Sequence, residues 1–235
     1  MTAVLVDSEV TPLSVDDLLR ALVAGYRLTV GSDPSPRVLA CIGAQVCLET
    51  GNGAKMRDFN PGNKKRPKDW DGLFAYFPCD EIFDGQTARR ARILGPCEVH
   101  PWHDAADGSA RFRVVLPAGH PWAAFCAFPS AVEGMADYVD MLSRNFPAAW
   151  TRAFAGDADG FSRALGAARY YTADVSAYTA GLVSIAHRIA PACGRLIAGD
   201  FGISDEDREH IESQVMLTLN DARFSDPEPF PLGAA

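Results

Sequence analysis

The sequence predicts an α+β fold that is mainly α, with a helical body and a smaller β-rich lobe. Three observations carry this. Apolar residues recur with helical period over 14–51 and again over 130–220. The stretch between, about 55–128, is rich in Gly, Pro and aromatics and breaks into loops and short strand-like runs. Capping residues stand at the start of the helical stretches.

The first helix begins at Ser14, which with Asp17 has capping-box spacing; Leu18, Leu19, Leu22, Val23 and Tyr26 form its apolar stripe. The second starts at Ser35 with Pro36 in its first turn, places Val38, Ile42, Gln45, Val46 and Glu49 on one face, and ends at Gly51 and Gly53. Leu73–Phe77, Arg111–Leu116 and Ala123–Phe128 read as strands, with turns at Asp104–Gly108 and Pro117–Gly119. Ser130 and Glu133 form a full capping box before Val132, Met135, Val139 and Leu142. Asp159 caps a short helix through Phe161 and Leu165, closed by Gly166. Asp174 opens another through Tyr178, Leu182, Ile185 and Ile189, with Pro191 beyond its end. Ser204 and Asp207 open a last helix carrying Ile211, Val215 and Leu219. The tail from Ser225 reads as mobile.

Composition excludes several function classes. The chain has 235 residues, 48% of them hydrophobic and 22% charged, which places it among globular proteins rather than disordered ones. A net charge of −8 argues against nucleic-acid binding, which leans on Lys and Arg. No run approaches the ~18 apolar residues of a membrane span. Met1–Val10 has no basic n-region and carries Asp7 and Glu9, so no Sec signal is expected there. The six cysteines are expected to be reduced where the chain is made.

Glu49 carries the most chemistry. It lies on the apolar face of its helix and in its last turn, where the macrodipole is negative. Both effects disfavour the carboxylate and raise its pKa. A carboxyl kept protonated near neutrality is what a general acid needs to protonate a glycosidic oxygen. Gly51 and Gly53 would leave room for a bulky polymer. A helix-end Glu held by an ion pair has the same sequence signature.

The run Ala44–Gly53 resembles the "AQ-x-x-LETG-x-G" signature of lysozyme-like peptidoglycan hydrolases, in particular the glucosaminidases of glycoside hydrolase family 73. Phe59–Lys64 resembles that family's "N-x-G-N-x-K" loop. Phe125–Gly134 resembles its "F-R-A-F-x-S-x-E-E-G" helix entry, with Tyr138 following. Ala164-Leu165, Tyr170–Asp174 and Tyr178 resemble its "AL-x-x-A-x-YATD-x-x-Y" segment. The likeness spans about residues 14–190, with the motifs in the family's order.

The resemblance implies a lysozyme-like helical lobe and small β-lobe with a glycan-binding groove between them. It implies one such domain over 10–200, with 201–235 a C-terminal helix and mobile tail on or beside it. Glu49 would be the general acid cleaving a β-1,4 bond of the peptidoglycan glycan strand. Tyr171, or less readily Tyr170, would line the cleft beside it. Gln45, Asn60 and Asn63 would contact substrate or shape the groove. For Asn60 and Asn63 loop formation competes with that role, and for the tyrosines core packing does. Independently of the resemblance, Trp70 and Trp102, in the polar middle region, are the tryptophans placed to stack on sugar, with core packing as the competing role. Of the acids Asp80, Glu81, Asp84 and Glu98, Glu81 is the first choice for the second catalytic carboxylate; the substrate's own acetamido group is the alternative. Glu133 belongs to its capping box.

No cofactor is implied. Cys97, His100 and His103, with Glu98, Asp104 and Asp107, have a spacing tighter than zinc sites use, so no metal is expected. His187 is expected to be a buried, satisfied histidine. The cluster Lys64, Lys65, Arg66 and Lys68 reads mainly as a solvated loop, with anionic wall peptides as its other partner.

The expected function is peptidoglycan hydrolysis as an endo-N-acetylglucosaminidase. An N-acetylmuramidase or lytic transglycosylase on the same fold, or a non-catalytic wall-binding module of a phage or secretion apparatus, remain alternatives. The expected partner is the wall glycan, plus a neutralising immunity protein if the chain is a secreted toxin; no nucleic acid and no membrane insertion are expected. The chain would be made in the cytoplasm and would act in the periplasm or on the wall, after phage-type release or specialised secretion. There Cys79 and Cys97 would be placed to brace the β-lobe by a disulfide.

Overall fold

Side-chain caps set the frame of the helical lobe. In the computed structural model, which describes residues 2–102, 109–171 and 173–199, Ser14 accepts the Asp17 amide at 3.1 Å and opens α1 (Val15–Val30). Ser35 accepts the Val38 amide and opens α2 (Pro36–Thr50), with Pro36 in the first turn where no amide is needed. Gly31 and Gly51 close the two helices in the left-handed conformation, at φ 78° and 59°. The helix expected from Ser204 and the tail lie outside the described residues, as do Thr172, the turn 104–108, and His103, Asp104 and Asp107 of the Cys97–His100 grouping.

α2 is the spine. Every residue from Val38 to Cys47 is buried, more than one apolar face requires. It packs on α7 (Val175–Ala198) and α1, while α1 packs on α4 (Ala131–Asn145). α1 and α4 approach so closely that a Cβ on Gly25 would lie 2.6 Å from the Ala136 amide nitrogen. Leu18, Leu19, Leu22, Ile42, Val46, Met135, Leu142, Phe161 and Leu182 fill the core between these helices. Each such side chain contributes about 1.5–3 kcal/mol by leaving water.

The later helices depart from their expected bounds. α5 (Pro147–Phe154) is an additional helix, started by a proline whose missing amide is tolerated at that end. α6 (Ala158–Ala167) is capped by Asp157, whose carboxylate accepts the Gly160 amide at 2.9 Å; Asp159 pairs instead with Arg163 along the helix. α7 does not stop before Pro191. The proline forfeits one backbone bond, but the turns beyond it bury Cys193 and pack Ala192, Leu196 and Ile197 on the core. His187 is exposed on α7, not buried.

The β-rich part holds two small sheets. β1 (Val4–Leu5) pairs parallel with β2 (Leu73–Tyr76), which pairs antiparallel with β6 (Ala124–Cys126). The second sheet has the order β3 (Cys79–Asp84), β5 (Arg111–Leu116), β4 (Glu98–Trp102), all antiparallel. α3 (Gly85–Leu94) lies inside the stretch expected to be loops and strands. Asp84 caps it by accepting the Thr87 amide at 2.7 Å. Its buried side is Ala88 and Ala91, set against Val114, Leu116 and Ala123 in a core separate from the helical one.

The disulfide expectation fails on register. All six cysteines are free thiols. Cys79 pairs with Leu116 on one side of β5, and Glu98 pairs with Val115 on the other, which carries Cys97 toward the far side of Leu116. Two strand spacings separate the cysteines, about 10 Å, beyond the ~7 Å that a bridge tolerates.

Candidate active site

Glu49 sits in the last turn of α2, at the point where the buried spine gives way to turns over 51–55 and the loop of residues 57–66 that leads to the sheets. Its carboxyl is half-buried. The Tyr178 phenol donates to Glu49 Oε1 at 2.5 Å. Tyr178 is held there by the first turn of α7, which Asp174 caps through the Ala177 amide at 2.8 Å, and by Tyr171, stacked on its ring at 3.7 Å and 13°. The Tyr171 hydroxyl in turn donates to the Ser162 carbonyl at 3.0 Å. Tyr171, expected beside the acid, is therefore the support behind it, and Tyr178 is the tyrosine that touches it. Tyr178 belongs to the same motif, and its place one turn into a capped helix was the available signal.

Gln45 lies one turn before Glu49 and is completely buried. Its Nε2 is 3.5 Å from Glu49 Oε1 and 3.4 Å from the Tyr178 hydroxyl, while its buried Oε1 has no hydrogen-bond partner among the described residues. It has no exposed surface with which to meet substrate. Tyr170 packs edge-on against Phe146, its hydroxyl 3.5 Å from the Gly62 carbonyl and facing the side chains of Gln45 and the buried Tyr138. Burial pushes the phenols of Tyr138, Tyr170 and Tyr178 above the ordinary tyrosine range, so all three are neutral.

Burial raises the Glu49 pKa above the usual carboxylate value; the hydrogen bonds from Tyr178 and Gln45 favour the anion and offset part of that rise. Both donors converge on Oε1, and among the described residues no hydrogen bond uses Oε2, which leaves that oxygen open to carry a proton. The cluster can thus give a proton from Oε2 and stabilise the charge that remains on Oε1.

The Asn loop is scaffold. Asn60 is buried; its Nδ2 donates to the Lys64 and Cys126 carbonyls at 3.0 and 2.9 Å, and its Oδ1 accepts the Lys64 amide at 2.8 Å. Both amide hydrogens are spent on the loop's own carbonyls and the side chain is buried, which corrects the expected substrate role. Asn63 is exposed in the left-handed conformation, φ 49°. The loop is pressed onto α4: a Cβ on Gly134 would lie 1.8 Å from the Phe59 carbonyl oxygen, and one on Gly62 would lie 2.7 Å from the Tyr138 ring. Gly53 serves packing too, since a Cβ there would sit 2.3 Å from the Leu13 carbonyl oxygen.

The basic cluster is not a solvated loop. Lys64 pairs with Asp137 at 2.7 Å with both side chains about 15% exposed, and Asp137 is pushed above its ordinary pKa by burial, which Lys64 opposes. Lys65 pairs with Glu81 at 3.1 Å, donates to the Trp122 carbonyl and lies over the Phe125 ring. Arg66 lies over Phe74, and only Lys68 is exposed. Glu81 is thus engaged on β3, outside the Glu49 hydrogen-bond cluster. Asp80 pairs with Arg113, Asp84 caps α3, and Glu98 pairs with His100.

Trp70 is half-buried, bonded through Nε1 to the Leu73 carbonyl at 2.7 Å, edge-on to Phe128 and beneath Lys64. Trp150 stacks on Tyr26 and Trp122 meets Phe83, which leaves Trp102 the exposed tryptophan at the end of β4. His120 is buried, with Nε2 bonded to the Ala91 carbonyl and Nδ1 accepting the Trp122 amide. Among the described residues no group of acids, histidines and cysteines is arranged to hold a metal ion, and no helix is long and apolar enough to cross a membrane.

No family model and no curated protein matches this chain. Two solved structures are similar to it. One is the glycoside hydrolase domain of FlgJ from Salmonella typhimurium, 18% identical over 89% of this chain and 100% of that one, at TM-score 0.39. The other is a peptidoglycan hydrolase from Sphingomonas sp. A1, 19% identical over 80% of this chain and 97% of that one, at TM-score 0.45.

Proposed function

We propose that this protein is a peptidoglycan hydrolase that cleaves β-1,4 bonds of the bacterial glycan strand as an endo-N-acetylglucosaminidase, with Glu49 as the general acid. One observation carries the reading: a half-buried carboxyl with a raised pKa, held at Oε1 by Tyr178 and Gln45. The motifs from Ala44 to Tyr178 and their resemblance to family 73 glucosaminidases give that acid its substrate class.

In the proposed reaction Glu49 Oε2 protonates the leaving glycosidic oxygen as the bond to the sugar C1 breaks. The oxocarbenium-like centre is then met by the substrate's acetamido oxygen or by water. Glu81 stays the carboxylate candidate for activating that water, which would require its release from Lys65. That engagement favours a second reading, a lytic transglycosylase in which one acid suffices. Delivery to the wall by phage-type release or specialised secretion is part of this proposal, and a secreted toxin would be expected to co-purify with a neutralising partner from the producing cell.

The test is Glu49→Gln, which keeps the shape and removes the proton. Wild type is expected to lyse purified sacculi and the variant to have lost lysis with its fold intact. Full lysis by the variant would sink the assignment. Wall binding without lysis by wild type would favour the non-catalytic module.

A further inference from the structure

Gln45 is the side chain of this cluster that ordinary stability does not explain. It stands at full burial in a helix segment whose neighbours are apolar or small, and among the described residues its Oε1 accepts no hydrogen bond. Such an atom destabilises, and an apolar side chain of the same length would avoid that cost. What the amide does provide is geometric: its Nε2 faces both Glu49 Oε1 and the Tyr178 hydroxyl, at 3.5 and 3.4 Å. Both contacts are long in the free protein, as catalytic hydrogen bonds often are before substrate tightens them.

We propose that Gln45 is a positioning residue for the acid: it ties Glu49 to Tyr178 so that both donors share Oε1 and the transferable proton is confined to Oε2. It acts through Glu49, without touching substrate. This deepens the hydrolase reading and rests on it for its catalytic meaning. When the proton leaves, Tyr178 and Gln45 already point at the oxygen that shares the new charge, so nothing has to reorganise. Loss of the Gln45 donor lets the carboxyl rotate and leaves its anion less stabilised.

The test is Gln45→Met, which keeps length and volume and removes both amide atoms. The expected result has four parts. Thermal stability is unchanged or higher, because the unpaired acceptor is gone. KM on soluble glycan stays within about twofold, and kcat falls about tenfold through lost orientation. The basic limb of the pH–rate profile moves to higher pH, and the Glu49 carboxyl, followed by 13C NMR, titrates at higher pH than in wild type. Gln45→Asn keeps the amide but withdraws it from reach, and the same upward titration shift is expected if the methionine variant folds poorly. An unmoved titration would overturn the proposal, and a lowered melting temperature beside it would assign Gln45 a packing role. A raised KM at unchanged kcat would overturn it in favour of substrate contact. The titration needs no turnover, so an inactive wild type would overturn the hydrolase reading while the titration alone still decides this one.

Discussion

Replacing Tyr178 with Phe removes one hydroxyl and leaves the ring stacked on Tyr171, where the centroids are 3.7 Å apart. The hydroxyl donates to Glu49 Oε1 at 2.5 Å and so favours the carboxylate over the neutral acid. Hydrogen bonds to charged groups contribute about 1.5–3 kcal/mol, and the half-open position of Glu49 puts this one near the low end. About 1.4 kcal/mol is a tenfold change in the ionisation equilibrium, or about one pH unit. The sign follows from the acid's role. Glu49 must be protonated to act, its pKa is already raised by burial, and loss of the donor raises it further. The basic limb of kcat/KM against pH therefore moves up by about one unit in Tyr178→Phe, while the plateau falls because the anion formed on proton transfer is less stabilised. The assay is release of reducing ends from soluble glycan between pH 4 and 9. An unmoved limb, or one shifted to lower pH, would refute the assigned hydrogen bond.

Three further outcomes test the scaffold around the site. Lys64→Met strands the buried Asp137 carboxyl and should cost about 3–5 kcal/mol in urea unfolding, with much of it recovered when Asp137→Leu is added. Gly134→Ala, whose Cβ would meet the Phe59 carbonyl oxygen at 1.8 Å, should destabilise by about 3 kcal/mol or more, whereas Gly31→Ala, at φ 78° with open space around it, should cost only about 1 kcal/mol. Alkylation of the denatured protein without reductant should modify six thiols, counted by intact mass; four would restore a disulfide.

Much of the helical lobe was legible because its signals are local. Ser14, Ser35, Ser130 and Asp174 cap the helices they were expected to cap. Arg111–Leu116 is a strand with the bounds expected for it. α3 was not legible, because its inward stripe is two alanines among arginines and gives hardly any hydrophobic period. Pro191 reads as a stop on propensity, yet packing of Cys193 and the turns around it carries the helix through. Burial of the whole of α2 was hidden as well, because the partners that cover its second face are on α7, distant in sequence.

The same divide runs through the site. The environment of Glu49 followed from one helix, since an acid on an apolar face at a helix end is a local pattern. The partners of Glu49 did not. Gln45 and Asn60 were expected at the substrate from the family resemblance, yet one is sealed behind the acid and the other is spent on loop carbonyls. Tyr171 and Tyr178 share a motif, and only the course of α7 decides which of them meets the carboxyl.

In the proposed reaction Glu49 supplies the proton that cleaves the glycan. The most direct measurement is mass spectrometry of the fragments released from purified sacculi by wild type and by Glu49→Gln. Wild type is expected to release muropeptides ending in reducing N-acetylglucosamine, and the variant none. Fragments released equally by Glu49→Gln would contradict that role for Glu49, and anhydro-muramic ends with wild type would keep the acid and overturn the glucosaminidase assignment.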